Sequence, residues 1–337
     1  MTRAPAVLAV DGGNSKADVA LVAADGTLLG AVRGPTISHQ ATSLAEGKRR
    51  LGLLVEAAGG RVGQLPRIAV HCVAGGDYPS DVHMLERAFA EVAPAVETVV
   101  LNDTYAALRA GATRPWGIVL ICGQGINGAA VGVDGRRRVR FAGVGDISGD
   151  WGGASSVGMA GLGAAVRARD GRGPRTALEE AIPRAVGLVR PEAVTHAYYT
   201  GRLNEARIGE LAPVVFATAA DGDPVARTII DRLADELATM AVALARRAHL
   251  VRREPEIILA GSVFRTDDAE FHDRLRSRIT AAIPDARIQR LAAPPVVGAA
   301  LIGLDRLAGG SADHAVEARA RAAFDAWNAT PVLVTPS

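Results

Sequence analysis

A short polar stretch near the start of the chain has the composition of an anion-binding turn. It follows an apolar run and reads Asp11-Gly12-Gly13-Asn14-Ser15-Lys16. Paired glycines let backbone N–H groups converge on an anion, and the hydroxyl and ammonium groups that follow add donors. An acid at the end of a strand also suits a hydrated Mg²⁺ ion. The stretch therefore predicts a phosphate-binding turn, with a tight hairpin that binds nothing as the alternative.

A second glycine-rich stretch matches the spacing G-x-G-x-x-G. It reads Gly123-Gln124-Gly125-Ile126-Asn127-Gly128. In a dinucleotide-binding fold a helix follows this motif directly, and an acid at a strand end comes about 20 residues later. Here a strand-like run at 129–133 and an Asp-Gly turn signal follow instead. We therefore predict a second phosphate-binding turn, equivalent to the first, rather than a dinucleotide site.

Two aspartates stand where a substrate cleft is expected. Asp103 follows Asn102 at the point where a predicted strand passes into a helix. A carboxylate there can orient an acceptor hydroxyl and accept its proton during phosphoryl transfer, with a helix cap as the alternative role. Asp150 lies in the glycine-dense stretch 143–153, which suggests a loop that wraps a polar ligand such as a sugar. A weaker signal, Gly261 and Ser262 after an apolar run, is compatible with a nucleoside contact or a plain turn.

The elements that must position these residues occur twice in the same order. A strand-like run, a glycine-rich turn, a second strand-like run, an Asp-Gly hairpin signal and a third strand-like run span 6–32 and again 117–141. Alternating helical and strand-like runs follow each unit. Such self-similarity predicts a duplicated α/β fold that divides near 111–115, with a last helix over 312–327.

Composition excludes several classes of protein. The chain has 337 residues, is 49% hydrophobic and carries a net charge of +2, so it can bury a core and has no strong field for nucleic acid or anionic lipid. Its two cysteines, Cys72 and Cys122, cannot build a disulfide framework and lie in apolar runs typical of a core. Asp11 interrupts the first apolar run before it reaches signal-peptide or membrane-span length. We expect a cytoplasmic protein with no membrane or nucleic-acid partner.

Taken in order, the motifs resemble those of the sugar kinase/Hsp70/actin superfamily. In detail they are similar to its BadF/BadG/BcrA/BcrD ATPase branch, which contains the N-acetylglucosamine kinases. The stretches 11–16 and 123–125 resemble the two phosphate motifs, and Ala260-Gly261-Ser262 the adenosine motif. The segment that carries the family's catalytic aspartate resembles Asn102-Asp103. A sugar-binding Gly-Asp-Glu-Gly motif resembles Gly149-Asp150-Trp151-Gly152. Another sugar-side turn resembles Gly75-Gly76-Asp77.

The resemblance implies two ribonuclease H-like (actin-like ATPase) domains with a cleft between them. The implied limits are an N-terminal domain at 1–112, a C-terminal domain at 113–307, and a C-terminal helix and tail at 308–337. The implied activity is ATP-dependent phosphorylation of an amino sugar, with the 6-hydroxyl of N-acetylglucosamine as the first candidate. ATP and Mg²⁺ are the implied cofactors, a small-molecule sugar is the partner, and a homodimer is expected.

The resemblance also assigns roles to individual residues. Asp103 is the implied general base, and Asp11 lies in the shell of the metal. The residues implied to bind ATP are Gly12, Gly13, Asn14, Ser15, Lys16, Gly123, Gln124, Gly125, Gly261 and Ser262. The residues implied to bind the sugar are Ser38, His39, Gly75, Gly76, Asp77, Asn102, Asp103 and Asp150.

Three departures from the family pattern leave the exact sugar open. Gln124 replaces a threonine, Trp151 replaces a glutamate, and the stretch 36–39 lacks an asparagine expected near the acetamido group. Glucosamine or another hexose is therefore an alternative substrate. Two alternatives of other classes are an activase of a 2-hydroxyacyl-CoA dehydratase, which needs cysteines to hold an iron–sulfur cluster between subunits, and a non-catalytic sugar sensor.

Overall fold

The computed structural model describes residues 4–60 and 65–334 and contains two five-stranded mixed sheets. The first sheet has the order β3-β2-β1-β4-β5. Strands β1 and β2 are antiparallel, as are β2 and β3, whereas β4 and β5 run parallel to β1. The strands are β1 (Val7–Gly12), β2 (Lys16–Val22), β3 (Leu28–Pro35), β4 (Ile68–Val73) and β5 (Glu97–Asn102).

The second sheet repeats this topology. Its order is β10-β9-β6-β7-β8, and its strands pair in the same senses as their counterparts. The predicted duplication is therefore confirmed. The strands are β6 (Gly117–Cys122), β7 (Ile126–Val131), β8 (Arg138–Arg140), β9 (Glu256–Ala260) and β10 (Arg287–Arg290).

One strand begins earlier than the sequence pattern predicts. We expected the glycine-rich turn to extend to Gly128, but β7 starts at Ile126 because Asn127 and Gly128 already pair with β6. The turn itself is only three residues long. Since a strand and not a helix follows it, the structure also agrees with the rejection of a dinucleotide-binding motif.

Helices cover the sheets and fill the interval between β8 and β9. The first repeat contains α1 (Leu44–Ala57), α2 (Pro79–Ala90) and α3 (Asp103–Gly111). The others are α4 (Gly153–Arg169), α5 (Leu178–Ala185), α6 (Pro191–Tyr199), α7 (Glu205–Gly209), α8 (Ala212–Ala220), α9 (Pro224–Arg247), α10 (Ala269–Ala282), α11 (Pro295–Leu307) and α12 (His314–Ala329). Of the helices in the described ranges, none offers a bilayer an uncharged apolar stretch long enough to cross it.

Helix α11 packs on the first sheet, although the predicted limits place it in the second domain. Its buried side chains share one core with β1, β4 and α3. Arg109 of α3 donates to Asp305 of α11 (2.8 Å) and to Glu317 of α12 (2.6 Å), which ties three helices together. The sequence missed this because an amphipathic pattern shows that a helix has a buried face but not which sheet it covers. The predicted limits otherwise stay a prediction.

The close approach of α11 to α3 makes a prediction about stability. A Cβ atom at Gly298 would overlap the carbonyl oxygen of Ala106 in the facing helix. We expect Gly298→Ala to lower the free energy of unfolding by about 2 kcal/mol or more, because two packed backbones would have to separate. The matched control is Gly163→Ala in α4, where the added Cβ atom would meet open space. This variant should gain up to about 1 kcal/mol of helix stability. Urea unfolding of both variants checks this, and equal midpoints would contradict it.

Candidate active site

The carboxyl ends of neighbouring parallel strands bring three aspartates to one edge of the first sheet. Asp11 lies at the end of β1, Asp77 follows β4, and Asp103 follows β5 as the first residue of α3. Burial, followed by the charges of Asp18 and Asp103, raises the pKa of Asp11 to about 8. Burial, followed by the charge of Asp77, raises the pKa of Asp103 to about 6. Each of these two carboxyl groups is therefore harder to ionise than an ordinary aspartate.

The donor set at this edge fits a divalent cation held largely through water. In the described part of the chain, no three His, Cys, Asp or Glu side chains gather into a direct coordination shell. Asp11 would therefore be a ligand beside water and phosphate oxygens, as is usual for Mg²⁺. The raised pKa of Asp11 is compatible with this fit, because the charges of Lys16 and Arg33 only partly offset burial and the neighbouring carboxylates, and a bound cation would favour the ionised form.

Ion pairs to one buried aspartate hold the hairpin that carries the first predicted phosphate turn. The Lys16 Nζ donates to the fully buried Asp18 (2.9 Å), which also accepts two bonds from Arg33 (2.7 and 2.9 Å). On the other side, the Thr36 hydroxyl donates to the carbonyl oxygen of Gly13 (2.7 Å). The tip residues Asn14 and Ser15 remain exposed, so their polar groups are accessible to a ligand.

The predicted sugar-side residues of the first half form one connected cluster. The carboxylate of Asp77 accepts bonds from the side-chain amides of Asn102 (3.1 Å) and Gln40 (3.1 Å). The oxygen of the Asn102 side chain also caps α3, since it accepts from the backbone and hydroxyl of Thr104. The helix cap, which we had considered as the alternative role of Asp103, is thus supplied by Asn102.

The turn at Gly75 packs directly on His39. Gly75 has a φ of +82°, and a Cβ atom there would come within 2.7 Å of the His39 Cε1. The Nδ1 of His39 is buried and has no hydrogen-bond partner, so the hydrogen-bonding capacity of this atom is unused. By contrast, the hydroxyl of the buried Ser38 accepts from the backbone of Gln40 (3.3 Å). Ser38 therefore shapes the loop.

Asp150 is held within its own loop in the second half. Its carboxylate accepts from the Gly143 backbone (3.1 Å) and from the Ser148 hydroxyl. The side chain is nearly buried. The next residue, Trp151, carries the guanidinium of Arg232 over its ring at 3.9 Å from the ring centre, so the residue that departs from the family pattern forms a packing contact.

The second predicted phosphate turn is in close contact with the start of α4. The backbone of Ala154 donates to Gly123 (2.8 Å) and that of Ser155 donates to Gln124 (3.0 Å). A Cβ atom at Gly153 would lie only 2.5 Å from the Gly125 Cα. The approach at Gly153 requires glycine. These contacts set the turn beside the positive end of a helix, which favours an anion.

A cavity of about 670 Å³ opens beside this turn, which is within the range of small-ligand sites. Gln124 and Ser262, both predicted to contact ATP, line it together with Phe216 of α8. The amide of Gln124 donates to the Ser155 hydroxyl (2.6 Å) and to the carbonyl of Glu205 (3.3 Å). A Cβ atom at the other predicted residue, Gly261, would overlap the backbone of the preceding β6 strand.

The structure thus groups the predicted residues on two facing halves without joining the two turns. Across the described ranges, no hydrogen bond or ion pair links the stretch 12–16 to 123–125. The sequence reading missed Gln40, Arg140 and Phe216, which contact Asp77 or line the cavity. Only Gln40 had a usable signal, since it is a polar residue in the loop that carries His39.

The two cysteines are confirmed as core residues. Both are fully buried, and burial raises the pKa of Cys122 to about 12 and that of Cys72 above its ordinary value. Such thiols are neither nucleophiles nor exposed ligands for a cluster shared between subunits.

Comparisons with known proteins agree with this architecture. Over 300 residues the chain is 27% identical to an N-acetylmuramic acid/N-acetylglucosamine kinase of Clostridium acetobutylicum, which covers 88% of this chain and 97% of that protein. It is 28% identical to an N-acetyl-D-glucosamine kinase of Dictyostelium discoideum over 60% of this chain and 64% of that protein. The structure of a candidate N-acetylglucosamine kinase from Chromobacterium violaceum superposes with a TM-score of 0.65 at 23% identity, over 89% of this chain and 99% of the other. The profile of one family matches residues 8–303. The chain belongs to the BadF/BadG/BcrA/BcrD ATPase family.

Proposed function

We propose that this protein is an ATP-dependent amino-sugar kinase that phosphorylates the 6-hydroxyl of N-acetylglucosamine, with Asp103 as general base. One observation carries the proposal. The partly buried Asp103, whose pKa is raised to about 6, lies beside a cluster of sugar-type hydrogen-bonding groups, and a nucleoside-sized cavity opens in the other half. The curated relatives, which are named as amino-sugar kinases, support the same activity.

The chemistry follows from the position and acidity of Asp103. Near neutral pH a carboxyl group with a pKa of about 6 is ionised, yet it is more basic than an exposed aspartate. It can therefore hold the acceptor hydroxyl in line with the γ-phosphate and accept its proton as the new P–O bond forms. Helix α3 begins at Asp103 and is capped by Asn102. The backbone that carries the carboxylate therefore belongs to a rigid element.

The phosphates of ATP would lie between the two glycine-rich turns. Backbone N–H groups of 12–13 and 123–125 would donate to phosphate oxygens, and Lys16 would add a positive charge. The nucleoside would occupy the cavity lined by Gln124, Phe216 and Ser262. Mg²⁺ bound near Asp11 would offset the negative charge of the phosphates. Because the two turns are not in contact, we expect the halves to close over the substrates and exclude water.

The polar groups on the sugar side would come from His39, Asp77, Asn102 and Asp150. The free Nδ1 of His39 and the carboxylate of Asp150 would bind hydroxyl or acetamido groups. Glucosamine remains the second candidate substrate, because no asparagine stands in the stretch 36–39. A cytoplasmic location stays a prediction from composition, and a homodimer stays a prediction of the family resemblance.

Analysis of the product by NMR tests the position of transfer. The protein is incubated with MgATP and N-acetylglucosamine, and proton–phosphorus couplings of the product are recorded. We expect the phosphorus to couple to the two protons on carbon 6. Coupling to the anomeric proton, or release of inorganic phosphate alone, would contradict the proposal. Parallel reactions with glucosamine show which sugar is preferred.

A further inference from the structure

Arg140 crosses from the second half of the protein to the sugar-side cluster of the first. It ends β8, the edge strand of the second sheet, whereas Asp77 belongs to the segment between β4 and α2 in the first half. Both side chains are largely withdrawn from solvent, with exposed fractions of 11% and 13%. An ion pair shielded to this degree is screened less by salt than a surface pair.

The guanidinium of Arg140 contacts two segments at once. Its Nη2 donates to the main-chain carbonyl of Asp77, and its Nη1 lies 3.4 Å from the Asp77 carboxylate. The same Nη1 donates to the carbonyl of Ala142 (2.9 Å). The residue after Ala142 is Gly143, whose backbone donates to Asp150. One side chain thus links the turn that carries Asp77 to the loop that carries Asp150.

We propose that Arg140 is a positioning residue for sugar binding, which completes the sugar site of the first half from the second half. This inference rests on the proposed function. The other side-chain partners of Asp77, Gln40 and Asn102, come from the first half and would hold only the carboxylate. Arg140 also holds the Asp77 backbone, and its fixed fork of donors suits this double contact. In the proposed function the nucleoside would occupy the cavity lined by Gln124, Phe216 and Ser262, so we expect Arg140 to affect the sugar and not the nucleotide.

The test compares Arg140→Gln, which removes the charge, with Arg140→Lys, which keeps it. We expect Arg140→Gln to raise the KM for N-acetylglucosamine by about 10-fold or more, the usual effect of losing a bond to a charged group, and to leave the KM for ATP within about twofold. Arg140→Lys should recover part of this loss, since one ammonium can replace one of the contacts. The matched control is Arg136→Gln in the exposed turn before β8, which should keep both constants.

A double variant separates positioning from general damage to the fold. If Arg140 acts through Asp77, then Asp77→Asn with Arg140→Gln should raise the KM for the sugar little more than the stronger single change does. An unchanged KM for the sugar in Arg140→Gln would overturn the inference. Equal rises in both KM values with a lowered melting temperature would overturn it as well, because they indicate a purely structural role.

The same experiment distinguishes this inference from the proposed function. Absence of turnover by the wild-type protein with every sugar would count against the proposed function. In that case calorimetric titration with N-acetylglucosamine tests the role of Arg140. Weaker binding by Arg140→Gln than by Arg136→Gln supports the inference. Equal binding by the wild type and Arg140→Gln, or no binding by either, overturns it.

Discussion

Replacing Asp103 with asparagine should lower kcat for sugar phosphorylation by about 100-fold or more. The amide keeps the size of the side chain and a hydrogen bond to the acceptor hydroxyl, but it cannot accept the proton during transfer, and general bases typically contribute a factor of this order. Initial rates at saturating ATP and sugar measure the effect. The control is Asp285→Asn on an exposed segment, which should retain wild-type rates. Near-normal turnover in Asp103→Asn would remove Asp103 from the role of general base.

The pH dependence of the wild-type enzyme tests the role of Asp103 independently of the substitution. Burial and the neighbouring Asp77 raise the pKa of Asp103 to about 6, and only the ionised form can accept a proton. We therefore expect kcat/KM for the sugar to fall tenfold for each pH unit below about 6, whereas an ordinary aspartate would keep its activity down to about pH 4. An acid limb near pH 4 would contradict the assigned environment of Asp103.

Replacing Asp11 with asparagine should have the second largest effect, and it should change activity and stability in opposite directions. Loss of the carboxylate removes a ligand for the hydrated metal, so we expect kcat to fall by about 100-fold, in line with the loss of a strong electrostatic contribution to catalysis. The substitution also removes a buried carboxylate whose pKa is raised to about 8. The metal-free variant should therefore be more stable than the metal-free wild type at alkaline pH.

The sign of this stability effect follows from linkage. Folding raises the pKa of Asp11, so the folded state binds the proton more tightly than the unfolded state. The wild type then loses stability as the pH rises from about 4 to about 8, and the penalty is complete above pH 8. Melting temperatures in EDTA should show an advantage for Asp11→Asn of a few degrees at pH 8.5, and no advantage near pH 4. A variant that melts below the wild type at pH 8.5 would show that Asp11 stabilises the fold.

The parts of the site at strand ends were accessible to sequence reasoning. Asp11 and Asn102 lie at the ends of strands with buried apolar residues, and Asp103 directly follows one of them. The carboxyl ends of parallel strands meet at one edge. The glycine-rich turns were recognisable for a similar reason, since paired glycines between two strand-like runs are typical of an anion-binding turn. Both features leave a local trace in residue type.

Other parts depend on contacts between distant segments, which leave no local trace. Arg140 is one of four arginines in the stretch 136–140, and nothing in that stretch tells which one reaches Asp77. Phe216 looks like any apolar residue of a buried helix, although it lines the cavity. Helix α11 follows the second sheet in sequence and packs on the first, because its contacts are set by the tertiary fold.

Coupled ADP release tests the central claim most directly. The protein is assayed with MgATP and, separately, N-acetylglucosamine, N-acetylmuramate, glucosamine, N-acetylmannosamine, glucose or no sugar. We predict strong turnover with an amino sugar, with N-acetylglucosamine first, and a rate without sugar that is far lower because closure excludes water from the γ-phosphate. Rates that equal the sugar-free blank for every member of the panel would contradict a sugar kinase and would favour a non-catalytic sugar sensor.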